Sequence, residues 1–108
     1  MQKNLKVAEL LDIYGNLLNE KQRTSLEFYY YDDLSLSEIA ENIGVSRQGV
    51  RDVIKRAESF LFFAEQELKL LEKREALLKT ISQFKKLDNK SSDLDKLILD
   101  LEELMKES

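Results

Sequence analysis

No cysteine, histidine, proline or tryptophan occurs in the 108 residues, and only three are glycine. Each absence excludes something. Without cysteine there is no disulfide, no thiolate nucleophile and no thiolate-held metal. Without histidine there is no imidazole general base and none of the common zinc or haem ligand sets. GxGxxG and GxxxxGK phosphate loops are also missing, so nucleotide binding has no support. We expect no cofactor, no metal and no catalytic residues. The acidic pairs Asp32-Asp33 and Glu102-Glu103 are chain neighbours, whereas carboxylates that act together converge across a cleft from different elements. The chain is not expected to be an enzyme. Long apolar runs are lacking too: the longest, Phe60 to Ala64, falls far short of the roughly 18 residues of a membrane span. With no basic apolar leader at its start, a cytoplasmic protein with no membrane partner is expected.

What is present favours helices. Leu, Lys, Glu and Ala abound, and 43% of the residues are hydrophobic, which predicts an all-α fold. The formal net charge of -4 hides a segregation: residues 1–45 carry 4 basic and 8 acidic groups, residues 46–90 carry 11 and 7, and residues 91–108 carry 2 and 6. The whole repels nucleic acid, so any such contact belongs to the middle block.

Val7, Leu10, Leu11, Tyr14 and Leu18 recur at helical spacing and predict a first amphipathic helix from about Leu5. Asn19 stands three residues before Gln22, and Ser35 three before Glu38. Both pairs are capping boxes that predict helix starts. The first of these helices runs to about Tyr31, with Leu26, Tyr29 and Tyr30 inward; the second ends at Gly44, suited to a left-handed C-terminal cap. Core packing is the favoured role of the aromatic run Phe28 to Tyr31, over base stacking. Ser46 can cap a further helix, and the sequence predicts it to be continuous from 47 to 87, about 60 Å at roughly 1.5 Å per residue. Asp88 to Ser92 is the next loop signal. A final helix carries the stripe Leu94, Leu97, Ile98, Leu101, Leu104 and Met105.

Leu36 to Lys55 reads as a helix-turn-helix. Ala40 is small where the second helix crosses, and Gly44 can take the positive φ of the turn. Ile39, Ile43, Val45, Val50 and Val53 fill the wedge between the helices. Arg47, Gln48, Arg51, Asp52, Lys55 and Arg56 are left on the outer face. In the major groove such a helix presents its first turns to base edges, where arginine pairs with guanine and glutamine with adenine. The residues expected to read bases are Arg47, Gln48 and Arg51. Ser46, at a helix N-terminus, together with Lys55 and Arg56 is expected on phosphates. The plain alternative for Asp52 is an i,i+4 pair with Arg56.

The segments Asn19 to Arg23, Phe28 to Leu36, Glu38 to Glu41 and Val45 to Arg51 resemble region 4 of bacterial sigma factors, which recognises a promoter hexamer. Gly49 departs from the larger residue common there, removing one base-contacting side chain. Over its full length the chain resembles the YlxM family, small bacterial helix-turn-helix proteins encoded beside the signal recognition particle GTPase genes. The resemblance implies a winged-helix-like DNA-binding regulator linked to that targeting pathway, with a component of the signal recognition particle or RNA polymerase as a further partner. The alternative is a protein or ribonucleoprotein adaptor of the pathway that does not bind DNA specifically.

We expect a helix-turn-helix domain over 1–60 and a helical extension over 61–108 that makes a homodimer. Ala57, Leu61, Ala64, Leu68, Leu71 and Leu78 continue one stripe. Phe60, Phe62, Phe63, Leu70, Leu77, Ile81 and Phe84 widen it beyond what the final helix, folding back antiparallel, can cover. The expected interface is Leu61, Ala64, Leu68, Leu71 and Leu78, with two recognition helices offered to a pseudo-palindromic site of duplex DNA. The competing arrangement breaks the long helix near Glu65 to Glu67 and leaves a monomer.

Overall fold

Helix starts in the computed structural model, which describes residues 2–87 and 91–106, fall where a side-chain oxygen can take a free backbone N–H. Asn4 Oδ1 accepts from Lys6 N at 3.0 Å and starts α1 (Leu5–Tyr14), after which Gly15–Leu17 form one 3-10 turn. Asn19 and Gln22 form a complete capping box at the head of α2 (Glu20–Tyr30), and Ser35 and Glu38 another at α3 (Leu36–Ile43). The Ser35 N–H, which donates to the Glu38 carboxyl in that box, and next the Ser35 hydroxyl hold the carboxyl below its ordinary pKa. Ser46 Oγ accepts from Gly49 N at 2.9 Å and starts α4 (Arg47–Leu68). Two further helices follow, α5 (Leu70–Lys85) and α6 (Ser92–Lys106), the latter begun by a bond of 3.1 Å from Leu94 N to Ser91 Oγ. The fold is all-α. Among the described residues there is no strand, so the helix pair carries no wing. Part of the expected loop, residues 88–90, lies outside the described residues.

The chain forms two compact units, Met1–Lys69 and Leu70–Ser108. In the first, α1, α2 and α3 all pack on α4. The five positions read as the inner face of α1 and its exit, Val7, Leu10, Leu11, Tyr14 and Leu18, are all buried. Also buried are Leu26 and Tyr29 of α2, Leu36 and Ile39 of α3, and the α4 stripe Val50, Ile54, Ala57, Leu61 and Ala64, at intervals of three and four. Polar groups at the edge of this core are paired. Tyr14 donates its hydroxyl to Glu65 at 2.7 Å, and buried Ser25 donates to the Lys21 carbonyl at 2.7 Å. Tyr30 sits between Asn4 N, which donates to its oxygen at 3.3 Å, and Glu58. Burial pushes the Tyr30 phenol up to about 12 and the Glu58 carboxyl above its ordinary range.

The single helix expected over 47–87 is two helices. Lys69 adopts the left-handed region at φ 56°, and its N–H caps α4 by donating to Glu65 O at 2.8 Å. Such a backbone costs a residue with a Cβ roughly 1–2 kcal/mol. The packing of the first unit explains where helix continuation loses its support. The buried stripe stops at Ala64, and Leu68, next in the series, is 48% exposed. The break also divides the residues expected at a dimer seam. Leu61 and Ala64 lie inside the core of the first unit and are out of reach of a partner; Leu71 is buried, while Leu68 and Leu78 are exposed.

In the second unit α5 and α6 run antiparallel, joined by Lys85, which donates to Glu102 Oε2 at 2.9 Å and forms an ion pair with Oε1 at 2.8 Å. Leu71 and Ile81 of α5 and Ile98 of α6 are buried.

Candidate nucleic-acid interface

The outer face of α4 is built from its cap upward. Gly44 ends α3 at φ 72°, ψ 35°, and its N–H and that of Val45 both donate to the Ala40 carbonyl, at 3.0 and 3.2 Å. Only glycine adopts that backbone without a Cβ penalty, so the tight turn rests on it. Ile39 and Val50 are fully buried in the wedge; Ala40, Ile43, Val45 and Val53 are half-buried along its rim. Gly49 has a role beyond the missing contact read from sequence. A Cβ there would stand 3.2 Å from Ser46 Oγ and 3.5 Å from Val45 Cβ. A side chain there would press on the Ser46 cap and need a shift of a few tenths of an ångström.

All six candidate contact residues share this end of α4. Ser46, Arg47, Gln48, Lys55 and Arg56 are exposed, and Arg51 is half-buried. Positions 48, 51, 52 and 55 succeed one another at i, i+3, i+4 and i+7, one helical face. Ser46 uses an oxygen lone pair for the cap and keeps its hydroxyl proton for a phosphate oxygen. Arg51 has its Nε buried with no hydrogen-bond partner among the described residues. A guanidinium left unsatisfied inside its own surface favours any acceptor that can reach it.

Asp52 takes a different partner from the one its spacing suggested. Gln48 Nε2 donates to Asp52 Oδ1 at 3.1 Å, and among the described residues Asp52 and Arg56 form no ion pair. The carboxylate thereby orients the glutamine. An amide nitrogen has two protons, so Gln48 can keep this bond, donate the second proton to adenine N7 and accept from N6. Arg47, Arg51, Lys55 and Arg56 against Asp52 make the first three turns of α4 strongly basic in a chain of net charge -4. Beyond Ser59 the exposed face changes character: Phe60, Phe62 and Phe63 are 37%, 37% and 57% exposed. Their run was visible in the sequence, but it was read there only as a broad stripe of the extension.

Residues 1–103 match the model of the family UPF0122, described as "Putative helix-turn-helix protein, YlxM / p13 like". The chain belongs to the UPF0122 family. It is 44% identical over 105 residues to a UPF0122 protein of Clostridium kluyveri, covering 93% of this chain and 91% of the relative. To a UPF0122 protein of Halalkalibacterium halodurans it is 43% identical over 104 residues, with 96% and 95% covered. A UPF0122 protein of Caldanaerobacter subterraneus subsp. tengcongensis is 49% identical over 76 residues, 70% and 65% of the two chains. The segment Leu36 to Lys55, read from sequence as a helix-turn-helix, is α3, the Gly44 turn and the first turns of α4. No helix is long and apolar enough to cross a membrane, and no group of acidic side chains is arranged to hold a metal, among the described residues.

Proposed function

We propose that this chain is a DNA-binding regulatory protein that sets the first three turns of α4 in the major groove. Arg47, Gln48 and Arg51 read base edges, with Asp52 positioning Gln48. Ser46, Lys55 and Arg56 take phosphates. The observation that carries the reading is the basic outer face of α4, exposed at the N-terminal end of a capped helix and directly after a left-handed glycine turn. The family description, a helix-turn-helix protein, supports it.

Few phosphates are engaged and the body is acidic, so affinity is modest and falls steeply with salt, with a log-log slope of about -0.9 per neutralised phosphate. Binding to random and genomic duplex fragments at several salt concentrations tests this. Arg47→Ala or Arg51→Ala should cost about 1–3 kcal/mol each and relax sequence preference, while Lys55→Ala weakens binding to all sequences and lowers the slope by about 1. Absence of binding at low salt, or indifference to Arg47→Ala combined with Arg51→Ala, overturns the proposal. So does recovery from lysate, after nuclease treatment, of signal recognition particle components in place of DNA. That result would mark an adaptor of the targeting pathway.

A further inference from the structure

The α5–α6 hairpin covers very little of its own apolar surface. Three large apolar side chains in it, Leu71, Ile81 and Ile98, are buried, whereas those along one of its sides stay open to water. On α5 these are Leu70, Leu77 and Phe84, spaced seven apart and 45%, 54% and 43% exposed; on α6 they are Leu97, Leu101 and Leu104, 59%, 47% and 63% exposed. Measured from the buried seam at Ile81 and Ile98, at about 100° per residue, both sets turn the same way. Two antiparallel helices that turn their apolar stripes the same way from a shared seam present one continuous face. The other side of the hairpin is mixed: Lys85, paired with Glu102, and Asp95 border a shallow groove there together with Leu99, and the apolar side chains open to water on it are fewer, Leu78 and Leu99 at 42% and 61% exposed.

We infer that this face is the interface with a second copy of the chain, so that two hairpins close into a four-helix bundle. Two observations select a second copy over other occupants. The first is charge. Helix α5 carries four basic and two acidic residues, and α6 carries two and five. A surface with one basic and one acidic helix is complementary to itself under a two-fold rotation. It suits neither a nucleic acid nor an anionic lipid surface, since either would meet the acidic α6. The second is extent. Six side chains exposed by about half give a contiguous apolar area of several hundred Å², the size of patch that marks an interaction site and the larger part of the roughly 800 Å² each partner contributes to a stable interface. The seam is thus moved from the residues read in sequence, two of which lie in the core of the first unit, onto the open side of the hairpin. The inference does not depend on what α4 binds.

Equilibrium sedimentation of the full chain at micromolar concentrations and above is the test. The expected mass is twice 12.6 kDa, and Leu97→Asp with Leu101→Asp should raise the dimer dissociation constant by about 100-fold or more while the helical circular dichroism of the first unit persists. A second measurement does not depend on how that variant folds. Because the chain has no cysteine, the single replacements Leu77→Cys and Lys79→Cys each give one reactive thiol. Labelling at 77 should slow as protein concentration rises, and labelling at 79, on the opposite side of α5, should not. A mass of 12.6 kDa throughout overturns the inference, as does a dimer unaffected by the paired aspartates in a folded variant. Protection at 77 that appears only when DNA, lipid vesicles or another protein is added overturns it equally.

Discussion

The two units of this chain solve the burial problem differently. In Met1–Lys69 four helices enclose one another, and Val7, Leu10, Leu26, Ile39, Val50, Ile54, Ala57 and Leu61 are fully buried. In Leu70–Ser108 two amphipathic helices share one seam and leave most of their leucines half open. Amphipathic periodicity is equally clear in both sequences, so the period alone does not say whether a helix finds its cover within the chain. The difference lies in helix number: one helix pair has two apolar stripes but a single mutual contact, and anything wider than that contact stays exposed.

Core substitutions should separate the units most sharply. Ile54→Ala, in the centre of the first unit, is expected to cost about 2–5 kcal/mol. Ile98→Ala, in the single seam of the hairpin, should cost less, at or below the lower end of that range. Thermal or urea unfolding of the two variants checks this, and equal losses would erase the distinction. The boundary between the units gives a smaller effect of opposite sign. Lys69→Gly removes the Cβ penalty of a left-handed residue and should stabilise by up to about 1 kcal/mol, and a loss of stability would show that the lysine side chain matters there more than its backbone.

The smallest effect concerns Glu58. Its carboxyl is raised chiefly by burial, partly offset by the Tyr30 hydroxyl. A carboxyl with a folded pKa above its unfolded one binds more protons when folded, so stability falls as pH rises between the two values. Glu58→Gln should therefore raise the melting temperature at neutral pH, with the gain fading in acid below the unfolded carboxylate range. A gain that is independent of pH would assign the effect to packing.

Much of the first unit was legible because its signals are local. Asn19 with Gln22, Ser35 with Glu38, Gly44 and Ser46 each state a helix end within four residues of chain, and all four ends stand where they were read. Lys69 could not be read this way. Neither glycine, asparagine nor proline marks the break, and its cause is that the core of the first unit stops supporting α4 after Ala64, a fact of packing. At the interface, sequence spacing placed the residues on one face but could not choose Gln48 over Arg56 as the partner of Asp52. Both lie four residues away, and only rotamers decide. The buried Nε of Arg51 was equally invisible, since it depends on the neighbours folded around one atom.

The tyrosines have a consequence for anyone watching this molecule unfold. All four, Tyr14, Tyr29, Tyr30 and Tyr31, lie in the first unit, and there is no tryptophan to outshine them. Tyr14 donates its phenol proton to Glu65, Tyr31 to Asp12, and Tyr30 meets Glu58. A phenol hydrogen-bonded to a carboxylate fluoresces weakly, because the excited ring loses its energy through that bond. Native emission is accordingly dim and brightens as α1, α2 and α4 separate. The hairpin has no tyrosine, so it stays dark in that channel, and ultraviolet fluorescence beside circular dichroism tells without any label which unit melts first.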